Sequence, residues 1–326
     1  MKAFTNAVPA DLKSAVTIAR RARENGQIAA FAGGGSDVLG LIKERLVTPD
    51  VLVYLKSIKG GDTVTSDSRA VTIGGLITLD ALSRHDLIRR QYQVLAEAAE
   101  TVATPQIRNA ATLGGNVCQR PWCWYYRNGF KCFKNGGNRC FSVDGENQFH
   151  AIFGGGPSFI VHPSDTAPAL VALDAKFRIT GPSGERTLSA ADFFVLPKQN
   201  TARENALAID EVLAAVEVPA PRPGSRSTYH KIMDREAWTH AVVSAAVVLE
   251  MDKDTCRSAR IVLGGVAPIP WRVEGAEHLL AGQRITPELA AKAGEAAVEG
   301  ANPLAKNGYK IPLTKAVVSR TLLSLA

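Results

Sequence analysis

The sequence predicts an α/β protein of two domains, and three observations carry that prediction. Helical and strand-like periods alternate through the first third of its 326 residues, the pattern of an α/β architecture. Two glycine-bearing loops, Gly33–Asp37 and Thr112–Asn116, interrupt that region. A proline-rich stretch, Pro219-Ala220-Pro221-Arg222-Pro223-Gly224, then precedes a restart of the pattern, as a linker does. The expected domains are residues 1–222 and 223–326.

Taken in order, Ala10–Glu24 reads as an amphipathic helix with Leu12, Ala15, Val16, Ile18 and Ala19 on one side. A short strand, Ile28–Ala32, leads into the first glycine loop, and Leu39–Leu46 reads as the helix after it. Val51–Leu55 and Ala70–Ile73 are expected strands, followed by a short helix over Thr78–Ser83. Gln93–Ala103 is a helix that stops at Thr104-Pro105, because the residue before proline avoids the helical region. From Leu113 to His150 aromatic, basic, cysteine and glycine residues replace the aliphatic ones, with no period of either kind. A stretch of that length without regular structure is usually functional. Strand patterns resume at Ser158–Val161 and Ala169–Ile179, with a turn at Pro182-Ser183-Gly184. Past the linker, Ala241–Met251 and Arg257–Val266 read as β segments around a polar turn, and Pro287–Gly300 and Lys315–Leu325 as helices.

Composition narrows the function classes. With 46% apolar and 21% charged residues the chain is an ordinary globular protein. No apolar run approaches the roughly 20 residues of a membrane-spanning helix. The opening residues lack the apolar core of a secretory signal. A cytoplasmic location is expected, or a periplasmic one reached by co-export with a partner. Lys and Arg exceed Asp and Glu by 38 to 31, a balance that admits acidic partners. The basic residues are largely scattered, however, and no nucleic-acid-binding signature occurs, so nucleic acid is not an expected partner. The six histidines form no metal-type pair, and no nucleophile elbow is visible. His162, His230 and Trp238 are weighed as neighbours of a bound group or as core packing.

Four of the five cysteines lie within 23 residues, spaced Cys118-x4-Cys123-x8-Cys132-x7-Cys140. Four thiolates can hold a [4Fe–4S] cluster or a tetrahedral zinc. Structural zinc usually draws on two close pairs, and only the first spacing is short. A reducing compartment opposes disulfides. Between Cys118 and Cys140 lie Arg120, Arg127, Lys131, Lys134 and Arg139, with no acidic residue. Positive charge favours thiolates. A solvated loop and a docking surface for an electron partner are the other readings. Cys256, alone, is expected to be structural.

Consecutive glycines after a strand let backbone N–H groups approach an anion, because no Cβ intervenes. Gly33-Gly34-Gly35-Ser36-Asp37 matches neither a Walker A loop nor a dinucleotide fingerprint, and a tight turn is its plainer reading. Two such loops in one region suit a ligand with two phosphates.

With AGGGSD at 32–37, QIRNAATLGGN at 106–116 and His162-Pro163-Ser164-Asp165, the chain resembles the FAD-binding subunit of the molybdenum hydroxylases. The likeness runs on through Glu211-Val212-Leu213, Tyr229-His230-Lys231 and Leu263-Gly264-Gly265-Val266. It implies a two-part FAD-binding domain of the PCMH type, then a smaller C-terminal domain of the CO dehydrogenase flavoprotein type. It implies that Ala32, Gly33, Gly34, Gly35, Ser36 and Asp37, with Thr104, Asn109, Thr112, Gly114, Gly115 and Asn116, hold the FAD. Asp165 is implied at the flavin's sugar-alcohol region, Lys231 near the ring, and Leu213 among the FAD contacts. No catalytic side chain is implied in this chain.

The insertion at about 117–150 resembles the cluster loop of 4-hydroxybenzoyl-CoA reductase and of the periplasmic aldehyde oxidoreductase, nearer the latter. That likeness implies a [4Fe–4S] cluster on Cys123, Cys132 and Cys140, and Cys118, the only nearby cysteine left, is expected to be the fourth ligand. The partners implied are a large molybdenum-pterin subunit, a small subunit with two [2Fe–2S] clusters, and an external electron acceptor. A stand-alone flavin oxidase and a zinc-stabilised basic binding module are the alternatives.

Overall fold

A computed structural model describes residues 2–326. The chain opens with a parallel three-stranded sheet ordered β1–β3–β2 (β1 Thr5–Ala7, β2 Ala29–Ala32, β3 Val51–Tyr54). Helix α1 (Leu12–Glu24) starts at Asp11, whose carboxylate accepts the Ser14 N–H while Ser14 returns to the Asp11 backbone. Its buried face, Ala15 and Val16, packs on Val53 and Leu55. A short helix, α2 (Val38–Lys43), follows the first glycine loop.

The second sheet is antiparallel and ordered β4–β5–β8–β6–β7 (β4 Val64–Ser66, β5 Ala70–Gly74, β6 Lys176–Gly181, β7 Gly184–Ser189, β8 Val212–Pro219). Between β5 and β6 the chain builds α3 (Leu79–Arg84), α4 (Asp86–Gln91), α5 (Gln93–Glu100), α6 (Pro105–Ala110), α7 (Leu113–Val117), α8 (Trp124–Arg127) and α9 (Thr166–Ala172). A last short helix, α10 (Ala190–Phe193), follows β7.

The third sheet holds β9 (Ser225–Ile232), β10 (Val243–Asp252), β11 (Thr255–Gly264) and the two-residue strands β12 (Trp271–Arg272) and β13 (Gln283–Arg284). Three helices accompany it: α11 (Glu274–Leu280), α12 (Pro287–Ala296) and α13 (Lys310–Leu323). Strand β10 is buried on both faces, and its alternation sorts side chains into two cores. Ala246 and Val248 join the core of the first two-thirds of the chain, whereas Ala245, Val247 and Leu249 join α11–α13. The third sheet is therefore a wall shared by both halves. Among the described residues no helix is long and apolar enough to cross a membrane.

Two expected strands are corrected. Ala169–Ile179 divides into the end of α9 and the start of β6. Every residue of α9 is buried, and an apolar run without a polar face carries no period to separate helix from strand. Ser158–Val161 is irregular: the Phe159 carbonyl accepts from Ala151 N–H, and His162 N–H donates to Ala267. These single bonds go to different segments, and no ladder forms. The 113–150 region is irregular as expected apart from α7, α8 and one 3-10 turn at Phe133–Asn135.

Candidate functional site

The two glycine loops meet. A Cβ on Gly34 would fall 2.0 Å from the Ala110 carbonyl oxygen, and one on Gly33 2.4 Å from Thr112 Oγ1. The absent side chains thus make room for the second loop, a packing reason for glycine beside the ligand-approach reason. Gly35 has φ +77°, a conformation glycine adopts without penalty. In the second loop Thr112 caps α7, its Oγ1 accepting the Gly115 N–H at 3.2 Å. Asn116 Oδ1 accepts from Ser164 Oγ at 2.6 Å and Thr166 Oγ1 at 2.7 Å, tying that loop to the His162–Asp165 turn.

Around this junction lies a cavity of about 450 Å³. Ser36 and Asp37 come from the first loop, Gly115 and Asn116 from the second, and Asp165 from the turn before α9. The irregular loop adds Trp122, Cys123, Trp124, Phe149 and His150, and the β9–β10 connection adds Arg235, Trp238, Thr239 and His240. Aromatic side chains dominate one side and backbone-rich loops the other. Sequence reasoning missed Trp122, Trp124, Phe149, His150 and His240; aromatic enrichment of residues 122–149 is the signal for the first three, and the two histidines carry none. Trp238 holds φ 58°, donates its N–H to the Ala103 carbonyl and is 59% exposed, which makes it an edge of the cavity, not core.

The other implied FAD residues stand behind the lining. Ala32 ends β2, Thr104 caps α6 through the Ile107 N–H, and Asn109 is exposed on α6. Gly33, Gly34 and Thr112 form the loop contacts, Gly114 lies against the Gly75 and Leu213 carbonyls, and Leu213 belongs to the first core. Lys231 is buried behind Asp165. Its Nζ donates to Asp165 Oδ2 at 2.8 Å and to the carbonyls of Thr101 (2.9 Å) and Thr239 (3.2 Å). Tyr229 Oη donates to the other carboxylate oxygen at 2.7 Å. Burial and the Asp165 charge push the Tyr229 phenol well above its ordinary range.

His230, between Tyr229 and Lys231, points to the opposite face, where Nδ1 lies 3.1 Å from Thr321 Oγ1. It does not reach the cavity, and strand alternation is the reason. His162 packs edge-on against Phe194 and burial lowers it to about 3, so it is a neutral packing residue.

Three of the five basic residues of the irregular loop are clasps, and Lys131 and Arg139 are exposed. Arg127 Nη2 lies 2.6 Å from Asp37 Oδ1, and Nη1 lies 3.3 Å from Glu44 Oε2. Arg120 and Lys134 both pair with buried Glu204, at 2.8 and 2.7 Å. Arg139 lies over the Phe141 ring. Two of the five, Arg127 and Lys134, are themselves buried.

All five cysteines are free thiols. Cys123 and Cys132 pack with Leu41, Tyr126 and Phe141, whereas Cys118 packs against the aliphatic core. Burial pushes the Cys118 thiol up to about 12. Cys123 rises to about 11 through burial, with a further push from Cys140 and Cys132. Among the described residues no group of three or more His, Cys, Asp or Glu is arranged to hold a single metal ion.

The comparisons with known proteins agree with this geometry. The family described as "FAD binding domain in molybdopterin dehydrogenase" matches residues 2–221, and the "CO dehydrogenase flavoprotein C-terminal domain" matches 228–325. The aldehyde oxidoreductase FAD-binding subunit PaoB of Escherichia coli (strain K12) is 34% identical, over 91% of this chain and 90% of its own. The carbon monoxide dehydrogenase medium chain of Hydrogenophaga pseudoflava is 28% identical over 91% and 89%. A solved structure of carbon monoxide dehydrogenase from Hydrogenophaga pseudoflava superposes with a TM-score of 0.78 at 25% identity, covering 99% of this chain and 96% of that one. Family matches across both halves of the chain, a relative one-third identical along nearly its whole length and a shared fold place this protein in the family of FAD-binding subunits of molybdenum hydroxylase-type dehydrogenases, which are oxidoreductase components.

Proposed function

We propose that the chain is the electron-transferring FAD subunit of a heterotrimer. A large subunit would carry the molybdenum pterin and oxidise the substrate, and a small subunit with two [2Fe–2S] clusters would pass the electrons on. The likeness to PaoB, a subunit of an aldehyde oxidoreductase, favours an aldehyde as that substrate. The observation that carries the reading is the cavity into which both glycine loops, Asp165 and an aromatic wall converge.

The residues fit the cofactor. Ser36, Gly115 and Asn116 would hold the pyrophosphate region, where the loops meet without intervening side chains. Asp165, fixed by Tyr229 and Lys231, would orient the sugar-alcohol chain. Trp122 and His240, whose rings lie 5.5 Å apart, would exclude water beside the ring system. Lys231 holds the Thr239 carbonyl and so sets the path of the β9–β10 connection. Bound FAD supplies a redox centre that can gather two electrons and release them to an external acceptor. The protein's part is positioning and electrostatics.

The irregular loop is proposed to carry an additional [4Fe–4S] cluster. Its support is the resemblance of the loop, together with Cys123 and Cys132 sharing one small cluster with Leu41, Tyr126 and Phe141 and Cys123 lining the cavity. Location is proposed as cytoplasmic, or periplasmic through a co-exported partner.

The test is co-expression with the large and small subunits, followed by anaerobic purification. A stable complex containing one FAD per chain, bleached on adding aldehyde and restored by an acceptor, supports the reading. A lone chain that reduces its flavin directly with a small-molecule substrate would instead make it a stand-alone oxidase. A colourless protein containing zinc would favour a binding module.

A further inference from the structure

Residues 146–153 close the irregular loop, yet many of their partners belong to the last third of the chain. Ile152 and Phe153 enter the core of α11–α13, its only buried members from before β9 among the described residues. Phe153 stacks on Trp271 with ring centres 5.1 Å apart. The backbone N–H groups of Ile152 and Phe153 both donate to the Val266 carbonyl, at 2.8 and 3.1 Å.

The stretch Asn302–Lys310, which leads into α13, takes up the carbonyls of the same strip one after another. Tyr309 Oη donates to Gln148 at 2.9 Å and Lys310 Nζ to Phe149 at 3.0 Å. Asn307 Nδ2 spans two carbonyls, those of His150 at 3.0 Å and Ala151 at 3.2 Å. The Asn302 N–H donates to Ile152 at 2.7 Å. At the start of the strip, Asn147 Oδ1 accepts the Lys306 N–H at 2.9 Å, and Lys306 pairs with Glu146.

An irregular segment has no ladder of its own, so its buried carbonyls need donors from elsewhere. Asn307 and Lys310 are both fully buried, and each is fixed by a further bond. Asn307 Oδ1 accepts the Leu304 N–H at 2.7 Å, and Lys310 Nζ also donates to the Gly265 carbonyl, just past β11, at 2.6 Å. In the middle of the strip, Phe149 and His150 line the cavity. The Phe149 ring lies 5.9 Å from that of Trp124, another lining residue.

We propose that Asn307 and Lys310 are positioning residues of the FAD site, holding the Phe149–His150 wall in the form that receives the cofactor. This rests on the reading that the cavity binds FAD. Neither side chain lines the cavity; each acts through the backbone that it holds. A wall fixed before binding leaves less to be ordered when the ligand arrives. Freeing its carbonyls weakens FAD binding without removing any group that touches the cofactor.

The experiment titrates FAD into the full chain stripped of flavin, in four forms: wild type, Asn307→Asp, Lys310→Met and Val318→Ala. N307D keeps the shape and the accepting oxygen but loses the amide donors, and K310M loses the ammonium. Val318 is fully buried in the same core on α13, and its side chain makes none of these hydrogen bonds. Thermal midpoints of the flavin-free chains report destabilisation separately. N307D and K310M should each raise the Kd for FAD at least about tenfold, as a loosened supporting shell does. V318A, although its midpoint falls, should stay within about twofold of the wild-type Kd. Wild-type affinity in folded N307D or K310M overturns the proposal. So does a V318A weakened as much as they are, because the loss then follows instability alone. A wild type that binds no FAD rejects the FAD reading of the cavity itself, and the two failures are thereby told apart. Should N307D not fold, K310M, which leaves no charge in the core, decides alone.

Discussion

Arg127 and Asp37 join the two loops that the sequence keeps ninety positions apart. Arg127 Nη2 donates to Asp37 Oδ1, while the Arg120 backbone N–H donates to Asp37 Oδ2 at 2.9 Å. Both oxygens of Asp37 are thus committed to the cysteine loop, although the residue borders the cavity. Arg127 is also held by the Pro121 carbonyl and lies 4.2 Å from the Trp122 ring centre. The loop that would hold pyrophosphate and the loop that carries the cysteines form one mechanical unit.

Removing Arg127 leaves Asp37 and Glu44, both only partly buried, without their cation, at a cost below the about 3–5 kcal/mol of a fully buried pair. Arg127→Ala should therefore lower the thermal midpoint clearly and reduce FAD retained through gel filtration. Asp37→Ala should do less, because Arg127 keeps Glu44. The double variant should fall short of the sum, as contacting residues do in a double-mutant cycle. Additive losses would mean that the two side chains act independently.

The Gly34 contact predicts a sharp local effect. A methyl group there meets backbone at 2.0 Å, and backbone gives way less readily than a side-chain tip. Gly34→Ala should cost roughly 1–3 kcal/mol, the usual range for overpacking. Gly156, with open space around its Cβ position, should tolerate alanine in the same urea titration. Equal midpoints for the two variants would refute the loop-contact account.

Much of the framework was legible because local signals were clean. The period of α1, and Thr104-Pro105 as the stop beyond α5, announce themselves, whereas the Asp11 cap and the start of α6 at the same Thr104-Pro105 went unread. The two loops were legible as loops, but not as partners, since no periodicity reports that Ala110 touches Gly34. Strands β8 and β9 flank the proline-rich stretch and went unread. In β8 Ala214 and Ala215 blunt the alternation, and in β9 Arg226, Thr228 and Lys231 are polar residues whose partners lie far away in sequence. The clasps went unread for the same reason. A run of Arg and Lys without neighbouring acids looks unpaired until Glu204, Glu44 and Asp37 come in from elsewhere.

Behind the cavity, Lys231 gives Asp165 its only cation within salt-bridge distance among the described residues. Lys231→Met should destabilise the chain by about 3 kcal/mol or more, since a buried carboxylate is left without its counter-charge. Tyr229→Phe removes one hydrogen bond to the same carboxylate and should cost about 1–3 kcal/mol. Differential scanning calorimetry orders the two. If Y229F proves the more damaging, Asp165 is held chiefly by the phenol and not by charge.

Lys310 carries the clearest pH prediction. It is fully buried at the start of α13, and Nζ donates to the carbonyls of Phe149 at 3.0 Å and Gly265 at 2.6 Å. Burial with no carboxylate beside it lowers the ammonium to about 7 from an ordinary 10.5. Between those values the unfolded chain holds a proton that the folded chain has released. Stability therefore rises with pH across that window, by at most about 1.4 kcal/mol per pH unit. Below pH 7 both states are protonated and the slope ends, with the full cost of burying charge in place. Lys310→Met removes the slope, because no titrating group is left at the site. Urea midpoints of both proteins from pH 6 to pH 10 should converge toward the alkaline end, with the wild type gaining relative to the variant as pH rises. Parallel curves would mean that Lys310 stays charged in the fold, its ammonium satisfied by the two carbonyls.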